Sequence, residues 1–311
     1  MQTQPFDLAS PDGTTLRGRR WLSDDVPVRA VLIIAHGMAE HGDRYARFAE
    51  AATGAGYAVY AADHRGHGRT ADGATFGYFA DSDGWNRVTD DIDVVVTHAL
   101  GEHPDLPVVL LGHSMGSLLA RTYAVRHGER LTALVLSGTP ADAGTLGLVG
   151  AKLAAAEARL RGPKHPSKLL DKLSFGAFNK AFKPARTDFD WLSRDDAEVD
   201  AYVADDKCGF IATAGFYVDM LGGLRLVNTP SFVAATPAKL PILVVSGGAD
   251  PAGGNGRGVE AAAAMLREGG VEDVTLMLYP GARHELLNET NRDDVTAHVL
   301  AWIEGRLPHD A

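Results

Sequence analysis

Two hydrophobic rhythms alternate along this chain. Short, continuous apolar runs rich in Val, Ile and Leu occupy residues 28–35, 57–62, 107–111, 131–137, 241–246 and 274–279, the pattern of strands buried on both faces. Between them, apolar residues recur every three or four positions over 44–55, 81–101, 117–127, 258–268 and 291–306, the spacing of helices with one buried stripe. In 81–101 the stripe is Trp85, Val88, Ile92, Val95 and Ala99; in 291–306 it is Val295, Val299, Leu300, Trp302 and Ile303. Ahead of these, residues 6–10 and 14–22 alternate around Pro11-Asp12-Gly13 and predict a β-hairpin.

Strands alternating with helices predict an α/β fold with a mostly parallel sheet and helices on both faces. Residues 140–238 break that rhythm with helical segments and no strong strand signal. The expected organisation is a core made of 1–139 and 239–311, with a helical cap inserted at 140–238. The aromatics Phe175, Phe178, Phe182, Phe189, Trp191, Phe210 and Phe216 predict a small core within the insertion. Above the strand ends the insertion would also roof a site, as a lid does. The apolar segment Leu146-Gly147-Leu148-Val149 is expected to be buried there, transient contact with a lipid surface being its other use. Lys and Arg at 159, 161, 164, 168 and 172 read as a solvated helix face.

Composition narrows the function classes. With 311 residues, 45% hydrophobic and 23% charged, the chain has enough apolar content for a large core. A net charge of −10 argues against binding nucleic acid or an anionic membrane surface. One cysteine, Cys208, allows no intrachain disulfide. No basic region followed by an apolar stretch opens the chain, and no apolar run approaches the length of a membrane span. A cytoplasmic protein without an integral membrane segment is expected.

Chemistry enters at Gly112-His113-Ser114-Met115-Gly116, between a predicted strand and a predicted helix. A Gly-x-Ser-x-Gly in that setting is a nucleophile elbow: a turn so sharp that the residues two positions either side must lack a bulky side chain, holding the serine hydroxyl out at a helix N-terminus. A serine hydroxyl needs a base, and the base an orienting acid, supplied in the chain order Ser, acid, His by loops that follow strands. His284 follows the run 274–279 through Pro280-Gly281-Ala282-Arg283 and is the expected base, whereas His298 falls within the last helix and His309 beyond it. Asp250 follows the run 241–246 across Gly247-Gly248-Ala249 and is the expected acid, with Asp142 as runner-up. The expected oxyanion donors are the backbone N–H groups of Met115, after the nucleophile, and Met38, in His36-Gly37-Met38.

No cofactor and no metal are expected. His36, His41, His64 and His67 match no zinc spacing, and Gly66-His67-Gly68 lacks the third glycine and the helix of a dinucleotide loop.

His36-Gly37-Met38-Ala39-Glu40-His41-Gly42-Asp43-Arg44-Tyr45, Asp63-His64-Arg65-Gly66-His67-Gly68, the elbow, Asp250-Pro251 and Arg283-His284-Glu285 together resemble the monoacylglycerol lipase and lysophospholipase branch of the α/β-hydrolases. The resemblance covers nearly the whole chain. It implies an eight-stranded sheet with an inserted helical cap, acting without a cofactor on single-chain acyl esters. Met38-Ala39 departs from the branch, where a small residue and then Gly are common; the bulkier Met would narrow the pocket mouth. The expected activity is hydrolysis of a small-molecule ester of the monoacylglycerol kind through a covalent acyl-enzyme. Lysophospholipids, thioesters, lactones, small esters and amides remain alternative substrates, and a ligand receptor without turnover is the rival from another class. Oligomeric state is open.

Overall fold

The computed structural model describes residues 1–308, so His309 lies outside them. Its centre is one eight-stranded sheet: β1 (Gln2–Ala9), β2 (Thr15–Leu22), β3 (Ala30–Ala35), β4 (Tyr57–Ala62), β5 (Val108–His113), β6 (Ala133–Ser137), β7 (Ile242–Gly247) and β8 (Val274–Tyr279). The order across the sheet is β1-β2-β4-β3-β5-β6-β7-β8. β2 pairs antiparallel with β1 and with β4, and every other pair is parallel.

The parallel strands are continuously apolar because both faces are covered. Val31, Ile33, Leu110, Leu134, Leu136 and Val244 point to one side, where they pack with residues of α2 (Gly84–Glu102), α3 (Met115–His127) and α9 (Arg257–Glu268). Leu32, Ile34, Val109, Leu111, Val135 and Val245 point to the other, against α1 (Ala46–Gly54) and α10 (Arg292–Glu304). All five residues of the α2 stripe are buried, as are Val295, Val299, Trp302 and Ile303 of α10, with Leu300 half-buried.

Element ends shift for local reasons. β1 begins at Gln2, ahead of the alternating stretch, because its backbone pairs with β2 through Gln2↔Leu22 whatever the side chains. α2 begins at Gly84 rather than 81, since Asp83 takes φ +55 and Asp219 accepts the Gly84 and Trp85 N–H groups. β5 runs on to His113 and α3 starts at Met115, which compresses the elbow to Ser114 alone.

Between β6 and β7 lie α4 (Gly144–Arg161), α5 (Lys168–Phe175), α6 (Asp196–Ala204), α7 (Ala214–Val227) and α8 (Pro230–Val233). Its aromatics divide between two clusters. Trp191 and Tyr202 pack with Phe175, Phe178, Phe182 and Phe189, whereas Phe216 and Tyr217 join the main core. Leu146 is 81% exposed, and Leu148 and Val149 are also exposed, contrary to the burial expected of them. α4 lies along α7 and fully buries only Ala154, so its first turns carry apolar side chains into solvent. Among the described residues no helix is long and apolar enough to cross a membrane.

Candidate active site

Ser114 sits in a backbone conformation that few residues other than glycine adopt, φ +51 and ψ −118. Strain of this kind persists only when the surroundings enforce it. Here a Cβ on Gly112 would lie 2.3 Å from the Gly116 carbonyl oxygen, and one on Gly116 would lie 2.0 Å from that of Ala35. Both glycines are therefore demanded by close backbone approach. The Ser114 N–H donates to the Ser137 carbonyl (2.9 Å) and the Ser117 hydroxyl to the Ser114 carbonyl (2.6 Å), closing the turn on both sides.

His284 and Asp250 meet although 34 residues separate them. His284 Nδ1–H donates to Asp250 Oδ2 at 2.9 Å, and Asp250 also accepts from the Ser246 hydroxyl (3.2 Å) and the Ala252 N–H (2.9 Å). Both side chains are buried. A carboxylate only accepts, so the proton belongs on Nδ1 and Nε2 keeps its lone pair. Burial pushes the His284 imidazole down, but the Asp250 carboxylate, with Glu285 and Glu40 behind it, outweighs that and holds it above its ordinary value. Asp142, the runner-up, is exposed and accepts the Gly144 N–H (3.0 Å) in the turn before α4.

Ser114, His284 and Met38 line one cavity of about 620 Å³, together with Trp191, Phe175 and Phe210. A cavity of this size suits a small organic ligand. Among the described residues the N–H groups of Met38 and Met115 donate to no protein acceptor. Ala39, where the resembling branch commonly has Gly, takes φ +54. Its carbonyl accepts from the Tyr202 hydroxyl (2.9 Å) and the Gly209 N–H (3.0 Å), both in the insertion.

Several residues of the resembling motifs had no role assigned from sequence. Arg44 forks two bonds onto Glu285 (2.6 and 2.7 Å) and a third onto Glu40 (2.8 Å). Glu40 in turn accepts from the Tyr45 hydroxyl (2.9 Å) and the Gly37 N–H (2.5 Å). Burial opposes the charge on Glu285, but Arg44 overcomes it and keeps the carboxyl well below its usual range. Their place in those motifs and the four-residue spacing of Glu40 and Arg44 were the available hints. Trp191, from the aperiodic insertion, lays its ring 4.9 Å from that of His284, with His113 at 4.7 Å.

Residues 190–195 are stitched to 283–292. Leu192 C=O accepts the Glu285 N–H (2.8 Å), Arg283 donates to the Ser193 carbonyl (2.8 Å), Arg194 pairs with Glu289 (2.8 Å) and Arg292 with Asp195 (2.7 Å).

The one group with metal-ligand atoms in reach of one another among the described residues is His41, Asp205 and Cys208, within 4.8 Å. Their distance along the chain hid it from spacing arguments. His41 Nε2 already bonds Asp205 Oδ2 at 2.8 Å, and the Arg44 charge acts on both Asp205 and Cys208. A cation nearby and a satisfied carboxylate fit a polar strut between the 36–42 loop and the insertion better than a cation site.

Comparison with known proteins places this geometry. The family model of the serine aminopeptidase S33 hydrolases (Hydrolase_4) matches residues 26–291. A monoacylglycerol lipase of Mycolicibacterium smegmatis is 34% identical over 92% of both chains. A carboxyl esterase from Bacillus coagulans, solved in complex with glycerol, superposes with a TM-score of 0.91 at 27% identity over 98% of this chain and 99% of its own. A lipase solved in an open form superposes at 0.83 with 33% identity over the same shares. The α/β-hydrolase fold, the elbow and these relatives converge: the chain is a hydrolase of the carboxylic-ester class and belongs to the serine aminopeptidase S33 family.

Proposed function

We propose that the chain hydrolyses monoacylglycerols through Ser114, His284 and Asp250. The observation that carries this reading is a buried His284–Asp250 pair, its Nε2 left basic, on the cavity onto which the strained Ser114 opens. Ser114 Oγ attacks the ester carbonyl carbon while its proton passes to His284 Nε2. The Met38 and Met115 N–H groups hold the oxyanion. The bond to the glyceryl oxygen then breaks, and that oxygen leaves with the proton from His284. Water, deprotonated by His284, attacks the acyl-enzyme and frees the fatty acid and Ser114. Asp250 keeps the imidazole in its tautomer and stabilises the imidazolium.

The leaving group is argued from the cavity wall and from relatives. Asp171, Asp188 and Asn179 line the cavity with a single lysine, Lys172. That balance disfavours a phosphate headgroup and suits neutral hydroxyls, in keeping with a relative that is a monoacylglycerol lipase and an esterase solved with glycerol. Residues 140–238 act as the cap, and the exposed Leu146, Leu148 and Val149 of α4 touch the lipid surface from which a single-chain ester enters. The test is glycerol release from a medium-chain 1-monoacylglycerol by the native protein and by Ser114→Ala. Release by the native protein alone supports the reading. Wild-type release by the variant would sink the mechanism, and no release from protein that still labels with a fluorophosphonate would sink the substrate.

A further inference from the structure

The Asp63–Gly68 turn takes no part in the chemistry proposed above, yet it packs against the loop that carries Met38. Asp63 Oδ1 accepts the Gly42 N–H at 2.8 Å, and Oδ2 accepts the Arg69 N–H at 2.7 Å. The next residue, His64, donates its backbone N–H to His36 Nε2 at 2.9 Å. A ring nitrogen that accepts carries no proton, so the proton of neutral His36 sits on Nδ1. That Nδ1–H donates to the Gly37 carbonyl at 2.7 Å. The His36 ring is fully buried, with the His64 and His67 rings at 4.2 and 5.3 Å.

One peptide unit contains both the Gly37 carbonyl and the Met38 N–H. A trans peptide is planar, and its C=O and N–H point in opposite directions. With the carbonyl turned back onto His36, the Met38 N–H is turned away from it, on a residue that lines the cavity. The Gly37 N–H, on the preceding peptide, is held separately by Glu40.

We infer that His36, its tautomer set by the backbone of His64, is the positioning residue that aims the Met38 N–H at the oxyanion. This rests on the oxyanion role proposed for Met38. His36 never meets substrate, and the 63–68 turn serves to present one N–H to it. Burial, and then the neighbouring histidines, hold the His36 imidazole well below its ordinary value, so the neutral form persists through the working range.

The experiment compares His36→Leu, His36→Asn and His36→Gln with the native protein. It reads kcat and KM on a monoacylglycerol, the Ki of an alkyl trifluoromethyl ketone and the Kd of an alkyl glyceryl ether. The ketone adduct imitates the tetrahedral oxyanion; the ether imitates the bound substrate. His36→Leu should lower kcat by about 10- to 100-fold, less than outright loss of a donor. The ketone Ki should rise by a similar factor, while KM and the ether Kd stay within about twofold. His36→Asn, whose amide nitrogen falls near the Nδ1 position, should recover most of kcat; His36→Gln, with its amide near Nε2, should not. Should His36→Leu fail to fold, the Asn and Gln pair decides the matter. An unchanged kcat in His36→Leu, equal weakening of ketone and ether, or equal behaviour of Asn and Gln would overturn the inference. Turnover by Ser114→Ala would instead strike at the hydrolytic mechanism itself.

Discussion

Lowering the pH from about 7 toward 5 should destabilise this protein steeply, through its buried histidines. His36, His64, His67 and His113 are all buried. Burial first, and then neighbouring positive charge, depresses them: His64 to about 3, His67 and His113 to about 4, His36 well below its ordinary value. A depressed histidine stays neutral in the folded chain while its unfolded counterpart protonates near pH 6.5, so stability falls as pH drops from there toward the folded values. Other groups shift too: His103, lowered by burial, adds to this loss, whereas Asp63, Asp91 and Asp171, raised by burial, oppose it as their carboxyls titrate at lower pH. Two further groups need separate treatment. Asp219, pushed by burial to about 6, takes up a proton in the folded state first and so works in the opposite sense. His284, held above its ordinary value by Asp250 against burial, is protonated in both states near pH 5.5 and cancels. Counting the four buried histidines less Asp219 alone, the unfolded chain binds about three more protons near pH 5.5, a slope of about 4 kcal/mol per pH unit, against a typical total stability of 5–15 kcal/mol. Urea unfolding followed by tryptophan fluorescence, between about pH 7 and pH 5, measures that slope. His67→Phe supplies the internal control. His67 Nε2 has no partner among the described residues, and Phe79, Phe210 and Phe216 surround the ring at 6.1, 5.2 and 5.9 Å. That variant should shed about one proton of slope, about 1.4 kcal/mol per pH unit. A native slope below one proton, or a His67→Phe slope equal to the native one, would refute the reasoning.

Asp250→Asn should lower kcat by about 10³- to 10⁴-fold, because an amide cannot hold the Nδ1–H tautomer. In the native protein kcat/KM should rise with pH through a midpoint above 6.5, and in that variant any residual activity should titrate lower; pH–rate profiles check both. Gly116→Ala should cost about 4 kcal/mol or more, seen as lost soluble yield and a lowered thermal midpoint, since its Cβ would meet main-chain oxygen at 2.0 Å. Arg44→Met strands Glu40 and Glu285 in the interior and should destabilise by about 3–5 kcal/mol, with part of the loss recovered on adding Glu285→Gln; denaturation of both variants decides it.

Much of this architecture was legible before the structure because the signal was local. A strand covered on both faces must be apolar throughout, so 57–62 and 274–279 were readable to the residue. The elbow was readable because its pattern is contiguous, although only the Gly112 demand arises within those five residues and Gly116 answers the backbone of Ala35. Asp250 and His284 followed from loop position and chain order, a topological rule that needs no contact map. What stayed hidden depends on residues brought together from afar. Trp191 reaches His284 across 93 residues of chain, and His41 reaches Asp205 across 164. The exposure of Leu146 was misread because an apolar segment is silent about what, if anything, covers it. The start of α2 moved for the same reason, set by an aspartate on α7.

The seam between 190–195 and 283–292 bears on recombination. The insertion looks exchangeable, since it enters after one strand and leaves before the next. Yet a block swap of 140–238 with a relative would replace the Trp191 ring beside the His284 imidazole and the carbonyls that take the Glu285 N–H and the Arg283 guanidinium. Such a hybrid inherits a foreign neighbour for the histidine proposed as its base, along with a new pocket. The transferable module therefore stops short of Asp190 and resumes beyond Asp195, and the six residues between travel with the core.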